Sequence, residues 1–435
     1  MSAAMLRVIG RWGLAALMLN GVIGSSVFGL PSVIAGKLGS ASPWAWILAA
    51  LGIGVVVACF AEVASRFGQA GGPYLYGRAA FGRLAGIEMG WVAYLVRLTA
   101  AATNANLFVI YLGEFWPATQ APLASRLVLA ALIAPLAVVN YRGVAPGARL
   151  SGVLLLLKLV PLAFFVLAGL ALVLPQATFA ASQSIPGGHW LDAILLLVFA
   201  YGGFEAALIP LGEAKDPKRD APFALFLTLG VCAVLYSLVQ LVVLAALPDP
   251  AASQRPLAAA AREFLGPAGA TLMATAGLLS VYGYLAGATV NVPRLTYAMA
   301  AEGDLPRPFA WIHPRFKTPA VSVVLYAVLV WLLAASGGFL SNLSLSAVSR
   351  LFTYGVVSAA LPRLRTLDRI GQGGTPARFH LPGGELWATA GIGFALALAT
   401  RMTRQEFGLM AVTLLLGLIN WCWARSRRPS EETTP

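Results

Sequence analysis

Charged residues are scarce in this chain of 435 residues. Aspartate, glutamate, lysine and arginine make up 11% of it, against about 25% in soluble globular domains. Hydrophobic residues make up 59%, and the mean hydropathy is +0.79. This composition excludes an ordinary soluble domain and predicts repeated membrane-spanning segments.

Cysteine and histidine are also rare, with three of each. Cys59, Cys232 and Cys422 each lie in an apolar run, which argues against a disulfide framework and predicts that all three pack in the interior. No cysteine or histidine spacing is typical of a metal site, and the sequence has no GxxxxGK[ST] loop to bind ATP phosphates. We therefore expect no metal, no cofactor and no ATP-driven step.

Long apolar windows are what the chain does contain. About twelve of them approach the roughly 20 residues that a helix needs to cross a bilayer. They lie near residues 10–36, 43–65, 84–113, 124–141, 150–174, 190–212, 222–247, 267–299, 319–336, 342–362, 384–401 and 407–424. The sequence therefore predicts an all-α integral membrane protein with twelve transmembrane helices in a single domain, 1–435. The polar tail 426–435 is expected to be disordered.

The net charge of +13 could indicate nucleic-acid binding, but the distribution of the basic residues favours another explanation. With the N-terminus in the cytoplasm, 21 of the 30 lysines and arginines fall in cytoplasmic segments and 6 in external ones. This is the positive-inside bias that orients membrane helices. We expect a protein of the bacterial cytoplasmic (inner) membrane, in contact with lipid, with both termini in the cytoplasm and no nucleic-acid partner.

Two of the apolar windows are interrupted by glycines near their middle. The first reads Asn20-Gly-Val-Ile-Gly-Ser-Ser-Val-Phe28, and the second reads Phe199-Ala-Tyr-Gly-Gly-Phe-Glu205. Hydrocarbon offers no water to unpaired backbone groups, so an interruption is tolerated where those groups line a cavity and hold something polar. Broken helices at matching positions of two halves are the best sequence pointer to the substrate site of a transporter.

Two such breaks suit a small zwitterion, which means an amino acid. A helix N-terminus carries about half a positive charge, so the half-helix after the first break favours a carboxylate. The carbonyl groups before the second break favour an ammonium group. The predicted substrate contacts are Ile23, Gly24, Ser25, Ser26 and Val27 in the first break and Phe199, Ala200, Tyr201 and Gly202 in the second. The alternative is that these small residues serve close helix packing alone.

Three segments, in the right order, resemble the amino acid–polyamine–organocation (APC) superfamily of permeases. They are Gly21–Phe28 with Pro31, Phe199–Arg219, and Pro293–Pro306 followed by His313–Pro319. The resemblance covers nearly the whole chain and implies a LeuT-type fold with discontinuous helices 1 and 6. Its two inverted five-helix repeats would span about 8–175 and 188–363, with helices 11 and 12 appended at about 384–425. The substrate would lie between helices 1 and 6, with walls from helices 3, 8 and 10.

Lys158 lies in an otherwise apolar run, where a charge costs roughly 2.5–3.5 kcal/mol on insertion scales. Such residues usually face the bundle interior and have a function. By resemblance, Lys158 matches a fifth-helix lysine of sodium-independent family members, at the place where sodium-coupled relatives bind an ion. We interpret it as a cation surrogate or a proton-linked group. The alternative is a structural tether to carbonyl groups of the first helix.

Glu205 follows the second break. The resemblance implies a glutamate that responds to protonation and helps to gate the site, as in some antiporters of amino acids and amines. The alternative is a carboxylate that caps the second half-helix, where negative charge is favoured. Both roles are compatible.

The resemblance also implies pocket-lining positions on helices 3, 6, 8 and 10. Ala288 replaces a tryptophan of an arginine-exchanging family member, which argues against arginine as the substrate. Arg350 and Tyr354 are assigned to coupling or gating together with Lys158 and Glu205. The remaining lining positions are Arg97, Ala101, Phe199 and Ser346.

Arg97 is a second arginine that is costly within a membrane helix unless it meets a partner or water. We predict that it approaches Glu205 or a substrate carboxylate. The alternative is that it reaches an interfacial carbonyl group or a lipid phosphate.

The sequence thus favours a secondary active amino acid transporter that works by alternating access. We expect it to be sodium-independent and proton-linked, with a neutral amino acid as substrate. Exchange or export of amino acids or amines is one alternative, and transport of an acidic amino acid through Arg97 is another. An intramembrane enzyme is disfavoured, because the charged residues in the spans are scattered and form no catalytic cluster.

Overall fold

The computed structural model describes residues 9–69, 71–143, 148–177, 189–372 and 374–426. In these ranges the chain is helical, apart from turns and one isolated parallel bridge between Ile9 and Ala214. The α-helices are α1 Arg11–Val22, α2 Ser26–Leu38, α3 Ser42–Ala64, α4 Pro73–Phe81, α5 Arg83–Leu112, α6 Pro122–Tyr141, α7 Ala148–Leu172, α8 His189–Tyr201, α9 Phe204–Ala207, α10 Pro217–Ala246, α11 Pro256–Ala301, α12 Ala320–Ser336, α13 Phe339–Arg369, α14 Gly384–Ala399 and α15 Arg404–Ser426.

The molecule is an all-helical integral membrane protein. Nine helical stretches among the described residues are long and apolar enough to cross a bilayer, and α12 and α14 are shorter apolar helices. A helix rises 1.5 Å per residue, so about 20 residues cover the roughly 30 Å hydrocarbon layer. The predicted disordered tail 426–435 lies outside the described residues, except for Ser426, which ends α15.

The helices fall into an inner and an outer set. In the most apolar windows of α5 and α13, 72% of the residues are buried, against 22% in those of α6 and α15. Helix α13 packs on α5 and α14, α10 packs on α3, and α1 and α2 contact α8, α9 and α10. The expectation that all three cysteines are buried was wrong for Cys422, which lies on the outer helix α15 and is exposed.

Two short non-helical stretches separate consecutive helices, one between α1 and α2 and the other between α8 and α9. Helix α1 ends at Val22, the backbone at Ile23 is extended, and α2 begins at Ser26. Helix α8 ends at Tyr201 and α9 begins at Phe204. Between them Gly203 has a φ of 114°, a left-handed conformation that a side chain would strain.

Helix α11 bends at Gly266, whose φ is 70° and whose ψ is −164°. The residues before the bend, from Pro256, are helical, and Leu257, Ala260 and Ala261 are fully buried. The segment therefore packs against the bundle through its apolar face, and the bend redirects the chain into the long second part of α11.

Candidate functional site

The break between α1 and α2 is held by a buried lysine. The Lys158 ammonium nitrogen donates hydrogen bonds to the carbonyl oxygens of Ile23, at 2.9 Å, and Asn20, at 3.1 Å. Its side chain is 0% exposed. These carbonyl groups belong to the end of α1, which bears partial negative charge, so a cation on α7 compensates the helix end.

An amide side chain holds the other side of the same break. The backbone N–H of Ser25 donates to Asn104 Oδ1 at 3.1 Å, and Asn104 in turn donates to the Ala100 carbonyl on its own helix, α5. The Ser280 hydroxyl of α11 lies 3.4 Å from the carbonyl oxygen of Gly24. Asn104 thus joins α5 to the main chain of the break.

The two breaks touch each other through glycines. A methyl group on Gly203 would lie 2.5 Å from the carbonyl oxygen of Gly21. The backbone N–H of Gly203 donates to Glu205 Oε2 at 2.8 Å, so the carboxylate folds back over the start of α9. The end of α1 and the start of α9 therefore lie beside one another, with opposite partial charges.

Glu205 pairs with Arg350 of α13. The Arg350 Nε donates to Glu205 Oε1 at 2.9 Å, and both side chains are buried. The guanidinium group lies 5.2 Å from the centre of the Phe199 ring and donates to the Phe199 carbonyl at 3.5 Å. A methyl group on Gly202 would lie 2.5 Å from Arg350 Nε, so the missing side chain lets the guanidinium lie against the end of α8.

Arg97 is half-buried on α5 and does not pair with Glu205. Within the described residues it makes no hydrogen bond or ion pair, although it lies in the electrostatic environment of Glu205, Arg350, Tyr284 and Tyr326. The Tyr326 hydroxyl is buried and has no hydrogen-bond partner in that part of the chain. Arg97 therefore adds positive charge next to a pair that is already formed.

Aromatic side chains close the site beside this pair. The rings of Phe204 and Tyr354 stack at 5.8 Å with 15° between their planes, and Phe60 meets both edge-on. Tyr201 is fully packed, and its hydroxyl donates to the Trp46 carbonyl at 2.9 Å. Tyr354 thus packs on the residue that starts α9.

The remaining predicted positions surround the breaks. The Ser346 hydroxyl donates to the Val96 carbonyl of α5 at 3.1 Å, and Ala101 of α5 is fully buried. The Tyr284 ring of α11 lies beside the first break, since a methyl group on Gly24 would be 3.8 Å from it. Ala288 lies one helical turn after Tyr284 on the same helix. Ser26, Val27 and Ala200 are buried at the two helix ends.

Sequence reasoning missed a hydrogen-bonded chain through Gln240 of α10. Its side chain accepts from the Trp46 indole at 2.9 Å and donates to the Pro31 carbonyl at 3.1 Å and to Ser42 Oγ at 3.0 Å. Since Tyr201 donates to Trp46, the chain joins α2, α3, α8 and α10. The sequence signal was a glutamine in an apolar window.

A buried carboxylate network lies at the ends of α3 and α13, away from the breaks. Glu62 accepts from Arg365 at 2.7 and 2.6 Å and from the backbone N–H of Leu381 at 2.8 Å. Arg66 lies 3.6 Å from Glu62 and also pairs with Asp368. The network fixes α3 to α13 and to the chain before α14.

A second network is centred on Asp304, which follows α11 and is 0% exposed. It accepts from the Tyr74 hydroxyl and from Arg83 Nε, each at 2.8 Å, and lies 3.8 Å from Arg78. Burial and the neighbouring Asp304 carboxylate raise the pKa of Tyr74 to about 12. In the part of the chain that the structure describes, no group of histidine, cysteine, aspartate or glutamate side chains could hold a metal ion.

Comparison with known proteins identifies the family. The sequence profile described as amino acid permease matches residues 9–421. The chain belongs to the amino acid permease family. Its relatives place the permease in the APC superfamily, which confirms the resemblance seen in the three motifs.

The permease is similar to named bacterial transporters. It is 28% identical to the methylthioribose transporter of Bacillus subtilis over 383 residues, 82% of this chain and 80% of the relative. It is 24% identical to the serine/threonine exchanger SteT of B. subtilis over 437 residues, covering 97% and 98% of the two chains. It is 26% identical to the cadaverine/lysine antiporter of Escherichia coli K12 over 354 residues, covering 77% and 78%.

Proposed function

We propose that this permease is a secondary active amino acid transporter that works by alternating access. In this proposal the fold is the LeuT type with twelve spans, α1 and α2 form the halves of helix 1, and α8 and α9 form the start of helix 6. Residues 8–175 and 188–363 are the inverted repeats. Both termini are cytoplasmic, which puts the networks of Glu62 and Asp304 on the cytoplasmic side.

The observation that carries the proposal is the contact between the two breaks. The first-turn N–H groups of α2 have no acceptor within their helix, and the last carbonyl groups of α8 have no donor within theirs. Gly21 and Gly203 bring the two breaks into contact, and α2 packs against α8. A zwitterion placed there meets a positive helix end with its carboxylate and a negative helix end with its ammonium group.

A neutral amino acid is the substrate that the surrounding residues favour. Ala101 and Ala288 leave space without adding charge, and Glu205 is neutralised by Arg350. An acidic amino acid is the alternative, because Arg97 has no partner among the described residues and could receive a carboxylate.

Coupling without sodium is supported by Lys158. Its ammonium group contacts two carbonyl groups of the first break, which is where a bound cation would otherwise compensate them. An ammonium group at this position can also exchange a proton, which suits a proton-linked step.

Amino acid exchange is a second candidate. Two of the similar proteins carry exchange in their names, the serine/threonine exchanger and the cadaverine/lysine antiporter. Preloading liposomes with unlabelled amino acid distinguishes the two, because an exchanger moves label only when its partner is present on the other side.

The test is uptake by purified protein in liposomes, guided by a thermal-shift screen of the twenty amino acids and common polyamines. A ligand that binds only the folded protein raises its melting temperature. We expect a neutral amino acid to do so and to be transported, with equal rates in sodium and in choline buffer. No uptake of any amino acid, with or without preloading, refutes the transport proposal, and an absolute requirement for sodium refutes the role of Lys158.

A further inference from the structure

The Arg350 guanidinium occupies the place that the positive side chain of a lysine-like molecule would need. It pairs with the Glu205 carboxylate at 2.9 Å and lies 5.2 Å from the centre of the Phe199 ring. It also donates to the Phe199 carbonyl at the end of α8. A carboxylate, an aromatic face and a helix C-terminus are the three features that attract an organic cation.

The fit of this guanidinium depends on the local backbone. Gly202 has no side chain, and a methyl group there would lie 2.5 Å from Arg350 Nε and 2.6 Å from Cζ. Glu205 is held from its other oxygen by the N–H of Gly203 at 2.8 Å. The carboxylate is therefore fixed from both sides and is not free to receive a second cation.

The charges around the breaks also disfavour the binding of a second cation. In the described part of the chain, three cationic side chains contact the breaks or face Glu205: Lys158, Arg97 and Arg350. Glu205 supplies the carboxylate that opposes them. Such a site repels a further positive charge, and repulsion is strong where water is excluded.

We propose that Arg350 is a resident counter-cation that reserves the site for amino acids with neutral or anionic side chains and rejects lysine-like amino acids and diamines. This inference rests on the proposed transport function and adds a specificity-determining residue to it. Removing the arginine charge would leave Glu205 exposed to the substrate and would reverse the selection.

The experiment measures inhibition of neutral amino acid uptake in liposomes by L-lysine and 1,5-diaminopentane. For the wild type we expect no inhibition at a hundredfold excess. Arg350→Gln should lower the half-inhibitory concentration of both cations at least tenfold, and the double variant Glu205→Gln/Arg350→Gln should lose that gain. The matched control is Arg401→Gln, which removes an arginine from the exposed pair with Asp192 of α8 and should behave as wild type.

Several results overturn the inference. One is that lysine inhibits the wild type as strongly as neutral amino acids do. Another is that both cations inhibit an active Arg350→Gln variant no more strongly than they inhibit the wild type. The third is that the double variant is as sensitive to the cations as Arg350→Gln. If Arg350→Gln has lost uptake, lysine must still raise its melting temperature, and a lack of any shift overturns the inference.

The variant Glu205→Gln gives an independent result that does not require removal of the arginine. It leaves Arg350 without its carboxylate, so aspartate should inhibit at least tenfold more strongly than in wild type. Unchanged inhibition by aspartate contradicts the charge argument. Failure of the wild type to transport any amino acid refutes the transport proposal instead, and lysine-induced thermal shifts of the wild type and Arg350→Gln then decide the charge selection.

Discussion

The carbonyl oxygen of Gly21 lies so close to Gly203 that one methyl group on Gly203 would come within 2.5 Å of it. The two residues belong to different breaks and are 182 positions apart in the sequence. Their contact brings two helix ends of opposite partial charge together without any intervening side chain. The mutual approach of the breaks therefore depends on glycine at position 203.

Gly203→Ala should destabilise the permease. The substitution strains a φ of 114° and forces a methyl group against the Gly21 carbonyl, and a strained backbone alone costs about 1–3 kcal/mol. We expect lower yield of folded protein and a lower melting temperature. The matched control is Gly21→Ala, because its methyl group would lie 3.4 Å from the Gly203 carbonyl, at ordinary contact distance, in a helical position. Equal melting temperatures for the two variants would contradict the packing argument.

Lys158→Met should abolish uptake and lower stability. It removes both hydrogen bonds to the end of α1, and a buried carbonyl group without a donor costs about 1–3 kcal/mol. Uptake and melting temperature are measured on the same preparation. Lys37→Met, in the last turn of α2, is the control and should keep both. Normal uptake by Lys158→Met would exclude any role for this lysine in coupling.

Asn104→Ala should impair substrate handling more than its neighbour Asn106→Ala. Asn104 accepts from the Ser25 N–H in the break, whereas Asn106 donates to the Ala334 carbonyl and accepts from Asn342, which joins α5 to α12 and α13. Each loss should cost about 1–3 kcal/mol of stability. We expect Asn104→Ala to raise the KM for uptake and Asn106→Ala to leave the KM unchanged. Equal KM values would show that the Asn104 contact is structural alone.

Alkaline pH should weaken the Asp304 network through Tyr74. The pKa of Tyr74 is raised from 10.0 to about 12 in the folded protein by burial and by the Asp304 carboxylate. Between these values the unfolded chain loses the tyrosine proton and the folded chain keeps it, so stability is full below pH 10 and falls as the pH rises toward 12. The melting temperature of wild type should fall more steeply over pH 10–12 than that of Tyr74→Phe. Parallel curves would contradict this assignment.

Much of the helical layout was predictable from the sequence. The windows at 84–113 and 319–336 match α5 and α12 within a residue or two, because unbroken apolar length is a local property. The break between α1 and α2 was predictable as well, because the glycine and serine residues that mark it are also a local signal in the sequence. The tether from Lys158 to carbonyl groups of the first break was one of the two alternatives, and its hydrogen bonds are present.

The partner of Glu205 was not predictable. The sequence analysis placed Arg97 near Glu205, whereas the ion pair forms with Arg350, which is on another helix and 145 residues from Glu205 in the sequence. Which of the two arginines reaches Glu205 depends on how α5 and α13 are rotated about their axes, and packing of the whole bundle sets that rotation. The network around Glu62 was missed for the same reason, since its members come from α3, α13 and the segment before α14.

The hydrogen bonds of Gln240 also bear on how the permease moves. One amide side chain serves Trp46 and Ser42 near the start of α3 and Pro31 in α2, and Trp46 is bound to Tyr201 at the end of α8. Separating these segments would leave several buried polar groups without hydrogen-bond partners at the same time. We therefore expect them to move as one rigid block, so that spin labels placed within it keep their spacing with and without bound substrate.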